Sequence, residues 1–133
     1  GLAQLEEWET MIARRRNNAA FLSRSLERLS DRMQLPAIRP DTDHSFMMYP
    51  LVLRDEKKDE IVNFLEQYGI ETRDMMPLTN QPIYRDVLGI KEEDYPVAKW
   101  INDNGFYIGC YQGLSDADLE YMVEVFERLG VEA

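Results

Sequence analysis

The sequence predicts an α+β domain, in which a small antiparallel sheet is covered by helices and a long helix stands at the N-terminus. Helical hydrophobic patterns at both ends of the chain enclose three short runs of β-type residues, with Gly and Pro between the runs. A length of 133 residues, with 44% hydrophobic and 30% charged residues, suits one globular unit with its own core. We therefore expect residues 1–133 to form a single domain.

Composition and charge exclude several classes of function. The formal net charge of −10 argues against nucleic-acid binding, which needs clustered Lys and Arg. The one basic run, Arg14-Arg15-Arg16, is predicted to lie on the solvated side of a helix. No apolar run approaches the length of a membrane span, and no signal peptide is visible. The single cysteine, Cys110, rules out an internal disulfide, so we expect a cytoplasmic protein that does not contact a membrane.

The first helix is predicted over residues 1 to about 30. Its apolar side chains recur at steps of three, four and seven residues, namely Leu2, Leu5, Trp8, Ile12, Ala19, Leu22, Leu26 and Leu29. A helix of this length exceeds what a small domain needs for its own core. We therefore expect that the chain was cut from a larger protein or that the helix leans on a partner. A linker with Pro36 and Pro40 then runs to about Asp43.

A strand and a second helix follow the linker. The strand is predicted over His44–Leu53, where apolar residues occupy both faces. Because Pro50 has no backbone N–H to donate, we expect it at a sheet edge or at a bulge. The helix is predicted over Asp55–Tyr68, with Gly69 closing it in a left-handed conformation.

The next stretch is the best candidate for a ligand site. A β-type run over Ile70–Arg73 leads into a loop built around Pro77 and Pro82. The loop displays the polar side chains of Arg73, Asp74, Thr79, Asn80, Gln81 and Tyr84. Guanidinium, hydroxyl and amide groups suit polyhydroxylated or phosphorylated ligands. The alternative is an ordinary polar loop, in which Arg73 forms a surface ion pair with Glu71 or Asp74.

The C-terminal part supplies the last strand and two helices. A short helix is predicted from Pro96 to about Asn102, and the strand over Phe106–Cys110. The last helix has the clearest start signal, because Ser115 can cap it and Asp118 can reach back. Its predicted buried face holds Leu119, Met122, Val123, Phe126 and Leu129, and Gly130 is expected to end it.

Familiar catalytic sites are hard to assemble from these residues. His44 and Cys110 could form a base and a nucleophile, but the apolar strand around Cys110 favours a small core residue. One His and one Cys fall short of a structural zinc site, which takes four ligands. The lysines lie in polar, helix-like surroundings that would not lower their pKa for Schiff-base chemistry. We therefore assign no catalytic residue and no metal ligand.

Five motifs nevertheless follow one another in a recognisable order. They are Gly1-Leu2-Ala3-Gln4-Leu5 with Arg14-Arg15-Arg16-Asn17-Asn18-Ala19, Phe46-Met47-Met48-Tyr49, Gly69-Ile70-Glu71-Thr72-Arg73 with Pro77-Leu78 and Gln81-Pro82-Ile83-Tyr84, Tyr95-Pro96-Val97-Ala98, and Gly113-Leu114-Ser115. In this order they resemble the C-terminal domain of the DegT/DnrJ/EryC1/StrS family, and the resemblance covers nearly the whole chain. Members of that family are pyridoxal-phosphate (PLP) enzymes, mostly aminotransferases that act on nucleotide-linked keto sugars.

The resemblance implies the small domain of a fold-type I PLP-dependent transferase. Residues 1–30 would be the interdomain helix and residues 44–133 the substrate-side part, while the Schiff-base lysine would lie in a large N-terminal domain upstream. The chain alone is then expected to be inactive and not to bind PLP covalently. Its implied partners are that large domain, a second copy in a homodimer, and a nucleotide-sugar substrate.

The resemblance also assigns substrate contacts, with one departure from the family pattern. The residues implied to bind substrate are Arg73, Thr79, Asn80 and Tyr84. Many members carry a His at the position of Thr79, so the substrate class stays open. Some relatives replace the Schiff-base lysine with His and dehydrate sugars, so a pyridoxamine-phosphate-dependent dehydratase is an alternative. A hypothesis from a different class of function is that the chain is a free-standing module that binds a small ligand or a protein.

Overall fold

The computed structural model describes the backbone of residues 5–132 and the side chains of residues 5–129. It contains a four-stranded antiparallel sheet of order β1-β2-β4-β3. The strands are β1 (Met33–Gln34), β2 (Met48–Leu53), β3 (Thr72–Asp74) and β4 (Gly105–Gly109). The predicted α+β class is confirmed, and β1 is a fourth strand that the sequence did not predict.

Four α-helices accompany the sheet in the described part of the chain. They are α1 (Trp8–Ser25), α2 (Lys58–Gln67), α3 (Pro96–Asn104) and α4 (Asp116–Glu132). The elements pack around one core made from the chain's own residues. Its members are Ala19, Leu22, Leu26, Leu29, Met33, Phe46, Tyr49, Leu51, Leu53, Ile61, Leu65, Ile70, Phe106, Ile108, Cys110, Leu119, Met122, Val125, Phe126 and Leu129. Apolar residues from α1, α2 and α4 therefore cover one face of the sheet.

The predicted first helix ends earlier than residue 30. After Ser25 the chain tightens into a 3₁₀ turn, Glu27–Leu29, which is a common way for a helix to finish. The turn brings Leu29 into the core beside Leu26. Of the predicted apolar stripe, Leu5 and Trp8 are exposed, whereas Leu2 lies outside the described residues.

Two other boundaries differ from prediction for local reasons. The strand predicted over His44–Leu53 is β2, which begins at Met48, because Phe46 adopts a left-handed conformation (φ 49°) that interrupts an extended run. The second helix begins at Lys58 and not at Asp55, because Lys57 is still extended.

Gly69 ends α2 as predicted, whereas Gly130 does not end α4. Gly69 has a φ of +77°, and the N–H of Ile70 donates to the carbonyl of Leu65. Helix α4 continues through Gly130 to Glu132. A glycine costs a helix only about 1 kcal/mol relative to alanine, which is too little to stop a helix whose preceding turn is anchored in the core.

Pro50 lies in a central strand, which corrects the predicted edge or bulge. Strand β1 pairs only with Val52 and Leu53 of β2, so Pro50 lies beyond the end of its short neighbour. On the other side Pro50 is in register with Tyr107 of β4. The two-residue length of β1 therefore explains how the sheet accommodates a residue without an N–H.

Residues 75–104 form a layer that stays outside the core, and we call this segment the outer layer. None of its residues is buried. It consists of the short turns Leu78–Asn80, Ile83–Val87 and Glu92–Asp94, followed by α3, which contacts β2 and β4. A Cβ atom on Gly105 would lie 2.3 Å from the carbonyl oxygen of Ile101, so the tight junction between α3 and β4 has room only for a glycine at this position.

Candidate functional site

The four residues implied to bind substrate lie on the edge strand and in the turns that follow it. Arg73 is on β3, opposite Tyr107. Its neighbour Thr72 is buried toward the core, so Arg73 faces the other side of the sheet. Thr79 and Asn80 lie in the first 3₁₀ turn of the outer layer, and Tyr84 in the following π-helical turn.

Arg73 is engaged in an exposed ion pair. Its guanidinium donates to the Glu71 carboxylate across 2.5 Å, and both side chains are largely exposed. An exposed pair of this kind contributes less than about 1 kcal/mol, so an anion of higher charge can displace Glu71. The geometry thus matches the alternative of a surface ion pair, and Arg73 remains available to a ligand.

The side chains of Thr79 and Asn80 differ in their hydrogen bonding. The Thr79 hydroxyl is buried, and its oxygen has no hydrogen-bond partner among the described residues. The side-chain oxygen of Asn80 accepts a bond from the amide of Gln81 at 3.0 Å. A buried hydroxyl without a partner carries a desolvation cost of roughly 1–3 kcal/mol. A ligand hydroxyl or another protein group that reaches Thr79 would remove this cost.

The two prolines shape this loop as expected. Pro77 is extended and precedes the turn Leu78–Asn80, which closes when the Gln81 N–H donates to the Leu78 carbonyl. Pro82 is helical and opens the next turn, in which the N–H of Tyr84 donates to the carbonyl of Gln81. Fixing φ at prolines reduces the conformational freedom that ligand binding would otherwise remove. Tyr84 is half-buried by this turn.

The basic run of α1 is not simply solvated, which corrects the sequence prediction. Arg14 donates to the Leu114 carbonyl at 2.8 Å and to Asp116 at 2.7 Å. Arg15 donates to the side chain of Gln112 at 3.0 Å. These bonds fasten the loop between β4 and α4 to the first helix.

Two more contacts of α1 went unrecognised in the sequence. Asn18 is fully buried and donates to the Tyr111 carbonyl at 2.9 Å, in the same loop. Arg16 donates to the carbonyl of His44 at 2.9 Å. Only the position of Asn18 on the apolar side of the helical pattern could have signalled its burial.

Neither His44 nor Cys110 acts as part of a nucleophilic pair. The Nδ1 atom of His44 accepts a bond from the backbone N–H of Phe46 at 2.9 Å, within its own turn. Cys110 is fully buried, and burial raises the pKa of its thiol to about 11. The predicted core role of Cys110 is therefore the one that the structure supports.

Three of the four lysines in the sequence, Lys57, Lys58 and Lys99, form ion pairs with carboxylates. Hydrogen bonds to Glu60 and Asp103 raise the pKa of Lys57 and of Lys99, respectively. Lys58 binds Asp74 and the carbonyl of Asn102, both at 3.1 Å. A Schiff-base lysine needs the opposite environment, one that lowers its pKa.

Neither a metal-binding cluster nor a membrane-spanning helix is found in the part of the chain that the structure describes. No group of three or more His, Cys, Asp or Glu side chains in that part of the chain could hold a metal ion. None of the helices described is both long and apolar enough to cross a membrane.

The fold defines a small α+β domain that carries a polar loop after its edge strand. The family model of the DegT/DnrJ/EryC1/StrS aminotransferase family matches residues 1–127, and the chain belongs to this family. The four-stranded sheet with its helices matches the C-terminal domain of sugar aminotransferases. The solved aminotransferase TlmJ from Streptoalloteichus hindustanus has a TM-score of 0.82 at 21% identity, over 100% of this chain and 35% of that one.

Two curated relatives show the range of the family. The chain is 30% identical to the lipopolysaccharide biosynthesis protein RfbH of Salmonella typhimurium, over 96% of this chain and 30% of RfbH. It is 27% identical to a dTDP-4-dehydro-2,6-dideoxy-D-glucose 3-dehydratase of Saccharopolyspora spinosa, over 92% of this chain and 28% of that enzyme. The chain thus spans about a third of the length of the curated relatives it matches.

Proposed function

We propose that this chain is the C-terminal small domain of a PLP-dependent aminotransferase that transfers an amino group to a keto sugar. The sugar is nucleotide-linked, and the reaction belongs to sugar or polysaccharide biosynthesis. Family membership supports the reaction class, and the share of each relative that the chain spans supports a separate large domain. Residues 1–133 then form one domain, with α1 connecting it to the large domain.

The observation that carries this proposal is the combination of family membership with a displaceable arginine on β3 and a hydroxyl without a partner in the turn that follows. Arg73 can exchange Glu71 for a phosphate or carboxylate group, because its planar fork pairs with such groups bidentately. The buried Thr79 hydroxyl and the Asn80 amide suit the hydroxyls of a sugar. Tyr84, held in the next turn, completes the set of proposed substrate contacts.

The other components of the enzyme are assigned to parts outside this chain. PLP is the proposed cofactor, and we assign its Schiff-base lysine to the large domain. The raised pKa of Lys57 and of Lys99 and the bond from Lys58 to Asp74 support this assignment. This chain supplies no catalytic residue, and its role is to bind and orient the substrate. The whole enzyme is proposed to be a cytoplasmic homodimer.

A second candidate function is sugar dehydration with pyridoxamine phosphate. The similarity to a 3-dehydratase over 92% of this chain favours it. The two reactions differ in the product, since an aminotransferase adds an amino group and a dehydratase removes a hydroxyl. Incubating the whole polypeptide with a nucleotide keto sugar and an amino donor, followed by mass spectrometry of the product, separates the two functions.

The proposed contacts are tested by Arg73→Ala and Thr79→Ala in the whole enzyme. Losing the bond from Arg73 to a charged ligand group should weaken transition-state binding by on the order of 1.5–3 kcal/mol, which lowers kcat/KM roughly 10- to 150-fold. Losing a neutral bond from Thr79 should cost about 0.5–1.5 kcal/mol, a decrease of roughly 2- to 10-fold. Arg39→Ala is a matched control, because Arg39 also pairs with a carboxylate two residues away, that of Asp41. Unchanged kcat/KM in both test variants, with the fold intact, would remove these residues from the substrate site.

A further inference from the structure

A cavity lies between α1 and the segment that joins β1 to β2. Its volume is about 540 Å³, which falls within the range of roughly 300–1,000 Å³ that is typical of small-molecule sites. Its apolar lining comes from Ala19 and Ala20 of α1 and from Pro36, Ile38 and Phe46 of the segment. The four residues proposed to bind the sugar substrate lie on β3 and in the turns after it, so an occupant of this cavity would be a separate ligand.

Two side chains that line the cavity have hydrogen-bonding capacity left for a ligand. Arg16 donates from Nε to the carbonyl of His44 at 2.9 Å, while its Nη2 atom lies 3.7 Å from Asp43, too far for a hydrogen bond. His44 uses Nδ1 to accept the N–H of Phe46 at 2.9 Å, so a neutral ring carries its proton on Nε2 and can donate from there. A carboxylate accepts from donors of both kinds and pairs bidentately with a guanidinium.

The backbone beside these donors is strained. Among the described residues other than glycine, only Phe46 has a positive φ, at 49°. For a bulky side chain this conformation costs energy and persists only where the surroundings hold it. Here the bond to His44, the 4.4 Å contact between the two rings and the burial of Phe46 hold it. Residues strained in this way concentrate at ligand-binding sites, which points to the same cavity.

We propose that this cavity binds a small monocarboxylate, with the carboxylate at Arg16 and an apolar body against Ala20, Pro36 and Ile38. The ligand replaces Asp43 at the guanidinium, because the Asp43 side chain is 89% exposed and an exposed ion pair holds its partners weakly. The formal net charge of −10 disfavours ligands with several negative charges, since the field of the chain repels them. The proposal does not rest on the proposed function.

Benzoate and benzamide test the proposal, because they share a ring and differ in the charge of the substituent. The chain has its own core and a single histidine, so the ring protons of His44 report on the cavity by NMR. Benzoate should shift these resonances saturably and bind roughly tenfold more tightly than benzamide, because hydrogen bonds to a charged acceptor are the stronger ones. The absence of a saturable shift, or equal affinity for the two compounds, would overturn the proposal.

Two substitutions at the cavity should change the affinity for benzoate in opposite directions. Asp43→Asn removes the internal competitor and should tighten binding about two- to fivefold, as expected for an exposed ion pair. Arg16→Gln removes the guanidinium and should weaken binding roughly tenfold. Because Arg16→Gln also removes the bond to the His44 carbonyl, circular dichroism checks its fold, whereas Asp43→Asn leaves that bond in place. A change of the same sign in both variants, or no change in Asp43→Asn, would contradict the proposed site.

A second ion pair in the same segment supplies matched controls. Arg39 and Asp41 also lie 3.7 Å apart and are exposed, but they are not among the residues that line the cavity. Arg39→Gln and Asp41→Asn repeat the two changes of charge and should leave the affinity for benzoate unchanged. If the affinity followed the net charge alike in both pairs, benzoate would be attracted nonspecifically and the proposal would be overturned.

Discussion

The buried amide of Asn18 should control how firmly the loop after β4 is held. The side chain is fully buried, and its NH₂ group donates to the Tyr111 carbonyl at 2.9 Å. Its oxygen has no partner among the described residues. Replacing Asn18 by Asp keeps the shape but places a carboxylate opposite a carbonyl oxygen, where both groups are acceptors. Replacing it by Leu removes the bond and the unpaired oxygen together.

The magnitudes of the two substitutions should differ clearly. At pH 7, keeping a carboxyl with an ordinary pKa near 3.9 protonated costs about 4 kcal/mol. This cost is the upper limit of the stability that Asn18→Asp can remove. Arg14, one helical turn away, would offset part of it, so a loss of roughly 2–4 kcal/mol is expected. Asn18→Leu loses a net hydrogen bond of about 1 kcal/mol but also removes the desolvation cost of the unpaired oxygen. We expect its free energy of unfolding to lie within about 1 kcal/mol of the wild type.

Urea unfolding at several pH values measures both effects. Burial disfavours the charged form of the carboxyl that Asn18→Asp introduces, so its pKa should be higher in the folded chain than in the unfolded chain. As the pH falls, the folded chain therefore takes up the proton before the unfolded chain does. The penalty of Asn18→Asp should therefore shrink as the pH falls from 7 toward 4, whereas that of Asn18→Leu should not change. Equal destabilisation by the two substitutions, or a neutral Asn18→Asp, would refute the reasoning.

Four further predictions concern titratable groups. Because hydrogen bonds raise the pKa of Lys57 and Lys99, borohydride treatment of the chain with PLP should leave no single stoichiometric adduct by mass spectrometry. The Cys110 thiol, with a pKa of about 11 against 9.0 when unfolded, should react with a thiol reagent at pH 8 about 100-fold more slowly than the unfolded chain. For the same reason, stability measured by urea unfolding should fall as the pH rises above 9. Hydrogen bonds from Ser115 lower the pKa of Asp118. The contribution of the Asp118 carboxylate to the free energy of unfolding should therefore be lost as the pH falls below about 4. Asp118→Asn should remove this pH dependence of stability.

Local signals in the sequence predicted several elements correctly. Ser115 and Asp118 form the reciprocal bonds of a capping box at the start of α4. The last strand was predicted over Phe106–Cys110, and β4 lies over Gly105–Gly109 with Phe106 and Ile108 fully buried. These predictions succeed because the interactions span few residues, so periodicity and spacing determine them.

The failures involve contacts between residues far apart in the chain. Strand β1 has only two residues, Met33 and Gln34, and exists because they pair with the end of β2. No periodic pattern fits in two residues. The basic run of α1 was predicted to be solvated, because nothing near Arg14 in sequence reveals that Leu114, a hundred residues away, accepts its bond. The predicted substrate contacts Arg73, Thr79, Asn80 and Tyr84 remain predictions.

The division between core and outer layer has a consequence for evolution and for mutagenesis. The core involves the sheet with α1, α2 and α4, while residues 75–104 contain no buried residue. Substitutions in the core remove buried apolar area and cost stability, on the order of 2–5 kcal/mol for a leucine-to-alanine change. Substitutions in the outer layer remove little buried area in this chain, so their effect on its stability should be small. A polar loop can therefore change its ligand while the core stays intact, which is consistent with one fold serving both aminotransferases and dehydratases.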